Sequence, residues 1–510
     1  MNSYIRSVQD YIVKISGNDK YGINQIFRFK NDKFGIVVNA KSDHAFLIFD
    51  GSTSDLAVGD LVKLEEKNFV VETKTNFFGT IIDIYGKKIF GKTIIKEKVI
   101  PSTSSVFKEA LNLNYRQNLN QQLYTGTFAI DVLFPIGYGQ RQAILGDAQT
   151  GKTSLCLKMI INNKNNHNLK IIYVSIGNKR LDIARIYHIL QEHQALNNTI
   201  ILHAASDNAL QQYLLPYVAM NHAENLMAAG FDVLVLVDNL TSHSNIIREI
   251  GLLTNTPVGK EAFPGNLFYA HAQFLERAGK FSNGKSISCI PVVKTINNDI
   301  TSLLASNIIS ITDGQIVLNS EIRNSGILPA IDLRLSVSRL GGAVQSQMLS
   351  KISSQMNRVY SLYLANLKFS QINFDFNPYI KKILNQGKLM INILNQAEFS
   401  CYSQVSCLIL GTIIANNLLE PDANIQYYIN MLQEYMKHDY IGNIIDQTIA
   451  KQIEKHRSID DRLLESCLKN LFKQFDLLKK SEDQLSFNDP DVFKISPNAM
   501  KILKGLLWVK

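Results

Sequence analysis

Residues 146–153 read GDAQTGKT, which fits the phosphate-binding pattern G-x-x-x-x-G-K-[ST] at every required position. The apolar run 142–145 precedes this stretch as a buried strand would, and residues 154–159 have helical character. A strand, a glycine loop and a helix in this order distinguish a true phosphate loop from its alternative, a glycine turn without a ligand. The stretch therefore predicts a nucleotide-binding α/β domain.

The chemistry of such a loop comes from its backbone amides and a few side chains. Glycines let the backbone curl so that N–H groups point at phosphate oxygens, and the helix N-terminus adds partial positive charge. Lys152 is expected on the outer phosphates and the Thr153 hydroxyl on Mg²⁺. The predicted nucleotide-binding residues of the loop are Gly146, Asp147, Gln149, Thr150, Gly151, Lys152, Thr153 and Ser154.

Composition narrows the class of protein further. With 510 residues, 46% of them hydrophobic and 19% charged, the chain is long enough for roughly two to four globular domains. The net charge of +9 arises from scattered lysines rather than from a basic block, so no nucleic-acid partner is expected. Five cysteines without a C-x-x-C pair indicate a reducing, cytoplasmic location.

The chain divides into four predicted regions. Residues 1–20 place apolar side chains on one stripe and predict a short N-terminal helical arm. Residues 21–94 predict a β-barrel, residues 95–375 alternate strands and helices in an α/β domain, and residues 376–510 predict a helical domain. The predicted barrel strands include the runs 34–38, 45–49, 60–64 and 79–84.

A second acidic motif follows the phosphate loop. The aliphatic strand Val233–Val237 ends in Asp238, which is the usual Walker B arrangement. In a parallel sheet this carboxylate comes close to the loop, where it helps to hold Mg²⁺. The alternative is that Asp238 is only an acidic strand cap near the surface. The presence of the phosphate loop favours the first interpretation.

Hydrolysis also needs a group that orients or deprotonates water. In RecA-like ATPases this group is usually a carboxylate at the end of the strand after the loop helix. Here the strand Ile171–Ile176 leads to Asn178, which binds water but is a poor proton acceptor. Asn178 thus predicts nucleotide binding without efficient turnover, or else it is only a turn residue.

Arg339 is a further candidate residue, at a strand end before a glycine pair. It either projects its side chain from the surface to act on a ligand or is an ordinary surface arginine.

Together these blocks resemble the α subunit of the rotary F-type ATP synthase. The loop GDAQTGKT is close to that subunit's version and unlike the GAGVGKT of its catalytic β partner. The resemblance is dense from about residue 120 to 350 and implies a β-barrel, a RecA-like centre and a helical end. The other matching blocks are residues 125–141, Glu261–Gly265, Leu275–Ala278, Asn307–Ile316 and Leu335–Arg339.

The resemblance implies a hexamer of three α-type and three catalytic β-type chains around a central-shaft subunit. The α sites of that family bind ATP or ADP with Mg²⁺ and do not turn it over. Asn178 stands where the α family carries glutamine, and Arg339 matches an arginine finger that reaches in trans into the β partner's site. The family's adenine pocket matches Gln396 and Glu398. Such a chain is cytoplasmic, at the inner face of the cell membrane, and meets a membrane sector or motor apparatus through other subunits.

Departures from the family pattern bear on which machine the chain serves. Ala148 replaces an arginine, Glu398 a glutamine, and Lys294 and Ile296 an acidic and a polar residue. The C-terminus is long and ends near Trp508, either as a tail that docks on a partner or as a packed helix. These changes favour a paralogous ATP-hydrolysing motor for motility or transport over the housekeeping, proton-coupled synthase. A self-sufficient homohexameric secretion-type ATPase and a ring component without nucleotide are weaker alternatives.

Overall fold

The computed structural model describes residues 3–17, 20–30, 33–65, 69–93, 96–101, 105–367, 378–420, 423–454, 461–479 and 495–506. They form two compact units. The first unit comprises Met1–Thr125, Ile136–Gly326 and Ala330–Ala343, and the second Gly126–Pro135, Ile327–Pro329 and Val344–Lys510.

All the described strands belong to the first unit. They are β1 (Ser3–Gln9), β2 (Ile12–Gly17), β3 (Ile26–Arg28), β4 (Phe34–Ala40), β5 (Ala45–Phe49), β6 (Leu61–Glu65), β7 (Thr73–Lys74), β8 (Thr80–Ile82), β9 (Lys88–Gly91), β10 (Val99–Ile100), β11 (Gln122–Leu123), β12 (Ile136–Gly137), β13 (Ala143–Gly146), β14 (Leu169–Asn178), β15 (Thr199–Ala205), β16 (Asp232–Asp238), β17 (Gly279–Lys280), β18 (Ser286–Lys294), β19 (Gly314–Leu318) and β20 (Val337–Ser338).

The helices are divided between the two units: α2 to α8 lie in the first, and α1 and α10 to α16 in the second. In chain order they are α1 (Phe128–Leu133), α2 (Lys152–Asn162), α3 (Arg180–Glu192), α4 (Ala209–Ala228), α5 (Leu240–Leu253), α6 (Leu267–Leu275), α7 (Leu303–Ile311), α8 (Ser320–Asn324), α9 (Gly341–Val344), α10 (Gln347–Leu367), α11 (Pro378–Leu394), α12 (Gln404–Asn416), α13 (Ile425–His438), α14 (Tyr440–Glu454), α15 (Asp461–Lys479) and α16 (Pro497–Leu506).

The first six strands close into a β-barrel in the order β1-β2-β5-β4-β3-β6, with antiparallel neighbours. Alternate side chains along each strand point inward, because successive residues of a strand face opposite sides. This periodicity fills the barrel with apolar residues and confirms the predicted N-terminal barrel. The interior contains Ile5, Val13, Ile15, Phe27, Phe29, Val37, Ala45, Leu47, Phe49 and Val62.

The helical arm predicted for residues 1–20 is wrong, because this segment forms the hairpin β1–β2. Gln9 pairs with Ile12, and the turn between them contains Asp10 with a φ of 51°. The apolar residues of this short segment fit a helical stripe and a hairpin alike. The barrel decides between them, because β1 also pairs with β6 and thereby closes it.

The centre of the first unit is a ten-stranded sheet in the order β20-β19-β13-β18-β16-β14-β15-β8-β9, with β17 attached to β18. The strands from β19 to β8 run parallel, which confirms the predicted nucleotide-binding α/β fold. The barrel strand predicted at residues 79–84 is misplaced, since β8 pairs with β15 in this sheet. All three residues of β8 are buried, as in the interior of a parallel sheet.

The second unit confirms the predicted helical domain. Its continuous helical part begins near Val344 rather than at residue 376, because α10 already belongs to it. At the far end α16 packs against α13, with Ala499 and Leu503 buried. Within the described residues the C-terminal segment is thus a packed helix, and Trp508 lies outside them.

Candidate nucleotide-binding site

The phosphate loop leaves the sheet at the carboxyl end of β13, between β18 and β19. Gly146 ends this strand, and a Cβ there would lie 2.7 Å from the Thr150 hydroxyl and 2.8 Å from the Leu318 carbonyl oxygen. Gly151 has a φ of 101°, which favours glycine, and α2 begins at the next residue. Both glycines of the motif are therefore required by local geometry.

Two side chains of the loop close it on itself. The Thr150 hydroxyl donates a hydrogen bond to the Asp147 carbonyl oxygen at 2.8 Å, and the Lys152 ammonium donates to the same oxygen. Burial lowers the pKa of Lys152, while the nearby charges of Asp238 and Asp147 act to raise it. The lysine thus lies across the mouth of the loop, where phosphate oxygens would be expected.

Asp147 anchors the loop through its carboxylate. Its Oδ1 accepts from the Thr295 hydroxyl at 2.6 Å, and its Oδ2 accepts from the Asn298 backbone N–H at 2.9 Å. These bonds connect the loop to the segment after β18. Because these bonds engage the carboxylate, we expect Asp147 to contribute to nucleotide binding through its backbone and the shape of the loop.

A hydroxyl and a carboxylate meet beside the loop. The Thr153 hydroxyl donates to Asp238 Oδ2 at 2.6 Å, and the Tyr173 hydroxyl donates to the same oxygen at 2.8 Å. Asp238 ends β16 and is only 5% exposed. Hydroxyl and carboxylate oxygens are the ligands that Mg²⁺ prefers, so this pair fits the predicted metal. The sequence pattern does not reveal Tyr173 as a site residue, because a tyrosine inside an apolar run is typical of the core.

Asn178 is the last residue of β14 and lies on the same edge of the sheet as Asp238. Its Nδ2 donates to the Ser175 hydroxyl at 2.9 Å, and Ser175 is directly opposite Asp238 in the strand register. The Ser175 hydroxyl is also 3.3 Å from Nδ1 of His203. The side chain at the end of β14 is therefore an amide, held by a neighbouring hydroxyl, and not a carboxylate.

Arg339 follows β20 at the edge of the sheet. Its Nη1 and Nη2 donate long hydrogen bonds, of 3.3 and 3.4 Å, to the carbonyl oxygens of Thr312 and Ile309. Ser338 pairs with Gly314 at the start of β19, whereas Leu318 at its end pairs with Gly146. At about 3.3 Å per residue, the backbone of Ser338 is roughly 13 Å along the strand from the loop, and Arg339 is one residue further away. The exposed guanidinium is thus remote from the loop of its own chain.

In the second unit, Gln396 is buried and its amide is fully used. Its Oε1 accepts from the Phe128 backbone N–H at 3.1 Å, and its Nε2 donates to the carbonyl oxygens of Gly126 and Ser400. Both amide N–H groups are therefore engaged within the second unit, and contact of Gln396 with an adenine stays a prediction. Glu398 is exposed on the same segment.

Comparison with known proteins agrees with this architecture. Residues 126–338 match the family model described as "ATP synthase alpha/beta family, nucleotide-binding domain". Residues 345–475 match "ATP synthase alpha/beta chain, C terminal domain". The chain therefore belongs to the ATP synthase alpha/beta family.

Within that family the chain is an α subunit of the F type. It is 46% identical over 509 residues to ATP synthase subunit alpha 2 of Mycoplasmopsis pulmonis, covering 99% of both chains. It is 33% identical to subunit alpha 1 of the same species, covering 93% of this chain and 90% of the relative. It is 34% identical to ATP synthase subunit alpha of Clostridium acetobutylicum, covering 94% of both. The resemblance inferred from sequence is confirmed.

Proposed function

We propose that this chain is the non-catalytic, nucleotide-binding α-type subunit of an F-type-like rotary ATPase hexamer. It binds ATP or ADP with Mg²⁺ and supplies Arg339 to the catalytic site of a β-type partner. The observation that carries the proposal is the position of Arg339, which is exposed and far from its own phosphate loop. Since that guanidinium does not reach its own nucleotide, it is available to a neighbouring subunit.

The chain's own site holds a nucleotide without turning it over. Backbone amides of the loop and Lys152 bind the phosphates, and Thr153 with Asp238 holds Mg²⁺, which neutralises phosphate charge when it is bound. Asn178 orients a water through its amide but cannot take its proton. The nucleotide therefore remains intact.

Arg339 acts in the partner's site by electrostatics. Its guanidinium carries a permanent charge and two donors toward phosphate oxygens, and its backbone N–H is fixed by the Asp313 carbonyl oxygen at 2.9 Å. Its long hydrogen bonds to carbonyl oxygens are weak enough to be exchanged for a phosphoryl group. Charge that develops on the transferring phosphoryl group is thereby stabilised.

We infer that the complex is a paralogous ATP-hydrolysing motor rather than the housekeeping synthase. The chain shares 46% of its residues with subunit alpha 2 of M. pulmonis and only 33% with subunit alpha 1 of that species. This difference supports a separate lineage. We propose that its complex is cytoplasmic and peripheral to the membrane, and that it contains a central-shaft subunit and a transport or motility apparatus. The alternative, the housekeeping proton-coupled synthase, predicts that the chain co-purifies with a proton-conducting membrane sector.

The test is ATP hydrolysis by the complex purified natively through this chain. We expect Arg339→Ala to lower turnover by ~10³-fold or more, and Lys152→Ala to leave much of it. The matched control is Arg334→Ala, since the Arg334 side chain is 68% exposed in the same segment. The proteins that co-purify identify the machine.

The opposite pattern would overturn the proposal. If Lys152→Ala abolishes hydrolysis while Arg339→Ala does not, the chain's own loop is catalytic. The self-sufficient homohexameric ATPase then becomes the better description.

A further inference from the structure

We propose that Lys294 is a second phosphate-binding cation of the nucleotide site and holds the terminal phosphate of ATP beside Lys152. This inference rests on the proposed function, because it assumes that residues 146–153 bind a nucleotide.

Strand β18 places Lys294 directly beside the phosphate loop. β13 and β18 are parallel neighbours, and Lys294, the last residue of β18, lies opposite Gly146, the last residue of β13. Neighbouring strands are about 5 Å apart. The loop leaves β13 at this level, so the lysine backbone is at the rim of the loop.

Hydrogen bonds on either side fix this position. The Lys294 N–H donates to the Thr241 hydroxyl at 2.8 Å, in the first turn of the helix that follows Asp238. The next residue, Thr295, donates through its N–H to the Gly146 carbonyl oxygen at 3.0 Å. The strand end is thus held between the phosphate loop and the acidic strand end, which are the two parts of the site.

The side chain of Lys294 is exposed and has no acidic partner at ion-pair distance among the described residues. Lys152 begins α2 directly after the loop, and Lys294 ends β18 opposite Gly146, so both lysines lie at the edge of the sheet from which the loop leaves. Two cations at one edge attract a polyanion, and a triphosphate is such an anion.

Two consequences follow for ligand choice. Lys294 is beside the lysine expected on the outer phosphates, so it should favour ATP over ADP. It also supplies positive charge that Mg²⁺ otherwise provides, so the site should retain ATP when the metal is removed.

The experiment measures binding of ATP and of ADP to the purified full-length chain by titration calorimetry, in Mg²⁺ and in EDTA. In EDTA we expect Lys294→Glu to weaken ATP binding about tenfold or more and ADP binding less. Lys294→Gln should be intermediate and Lys294→Arg close to wild type. The control is Lys63→Glu, the same change of charge at an exposed position on barrel strand β6. Thermal unfolding verifies that each variant is folded.

Wild-type ATP affinity of folded Lys294→Glu in EDTA would overturn the inference. Equal losses in Lys294→Glu and Lys63→Glu would also overturn it, because the effect would then follow net charge alone. Failure of the proposed function looks different: the wild-type chain would bind no ATP, Lys152→Ala would change nothing, and this inference would fall with it.

Discussion

At the residue scale, one buried ion pair holds part of the first unit together. Arg277 is fully buried, and it donates to both carboxylate oxygens of Glu224 at 3.0 and 2.9 Å and to the Val106 carbonyl oxygen. A buried charge without its partner is costly, since desolvation is then uncompensated. The pair therefore holds the segment around Val106 against α4 and the end of α6.

We predict that Glu224→Ala lowers the free energy of unfolding by about 3–5 kcal/mol, because it leaves the Arg277 guanidinium buried and unpaired. Lys108→Ala is the control: Lys108 lies 3.8 Å from the same carboxylate, is more exposed, and should cost less than about 1 kcal/mol. Urea unfolding followed by circular dichroism measures both. Similar midpoints for the two variants would contradict the assignment.

The residues of the phosphate-loop motifs could be predicted from the sequence, but the residues that support them could not. Lys152, Thr153 and Asp238 follow from patterns that the sequence displays, and the structure places the last two in contact. The Tyr173 hydroxyl on Asp238 and the buried amide of Gln396 depend on residues far away in sequence. No periodicity reveals such partners, because they are set by tertiary packing.

At the element scale, the elements that were predicted wrongly are short strands. The hairpin β1–β2 and the strand β8 are each too short for periodicity to identify their partners, and pairing with distant strands decides their place. The long buried strands β14 and β16 were predicted correctly, since a continuous apolar run bounded by polar residues is specific to a parallel sheet.

Helices α4, α5 and α6 carry three histidines that are buried in the first unit: His222, His243 and His271. Burial lowers the pKa of His222 and His243 to about 4. Burial also lowers the pKa of His271, and the neighbouring His243 adds to this effect. The rings of His243 and His271 are 5.7 Å apart, and both are neutral in the folded chain at neutral pH.

These three buried histidines predict that the folded chain loses stability in mild acid. Histidine in the unfolded chain titrates near pH 6.5. Below that pH the unfolded state therefore binds protons at these positions, and the folded state, where the histidines stay neutral, does not. The contributions of His222 and of His243 are each complete above pH 6.5 and are lost as the pH falls toward 4, by ~2 kcal/mol each at pH 5. Melting temperatures from pH 7.5 to 5 measure it. His243→Asn should flatten the profile and the exposed His167→Gln should not; unchanged profiles for both would refute the prediction.

At the scale of the whole molecule, the proposed function gives the chain half of a catalytic site, which a β-type partner completes. We predict that the chain alone binds ATP but hydrolyses it at least ~10²-fold more slowly than the purified complex does, because Asn178 cannot act as a general base. Adding a β-type partner should restore turnover. Turnover by the isolated chain that equals that of the complex would contradict this prediction.

Among the described residues, no helix has the length and apolar character needed to cross a bilayer.

The place of β8 in the sheet has a consequence for biosynthesis. The barrel strands are complete by Glu65, but β8 must wait for β15, which begins at Thr199. At 5–20 residues per second, the ribosome needs roughly 6–25 s to deliver the missing neighbour. During this interval β8 has only its hairpin partner β9, and its other edge has no parallel neighbour. A slow stretch of codons between the two strands would prolong the exposure, and chaperone demand should rise accordingly.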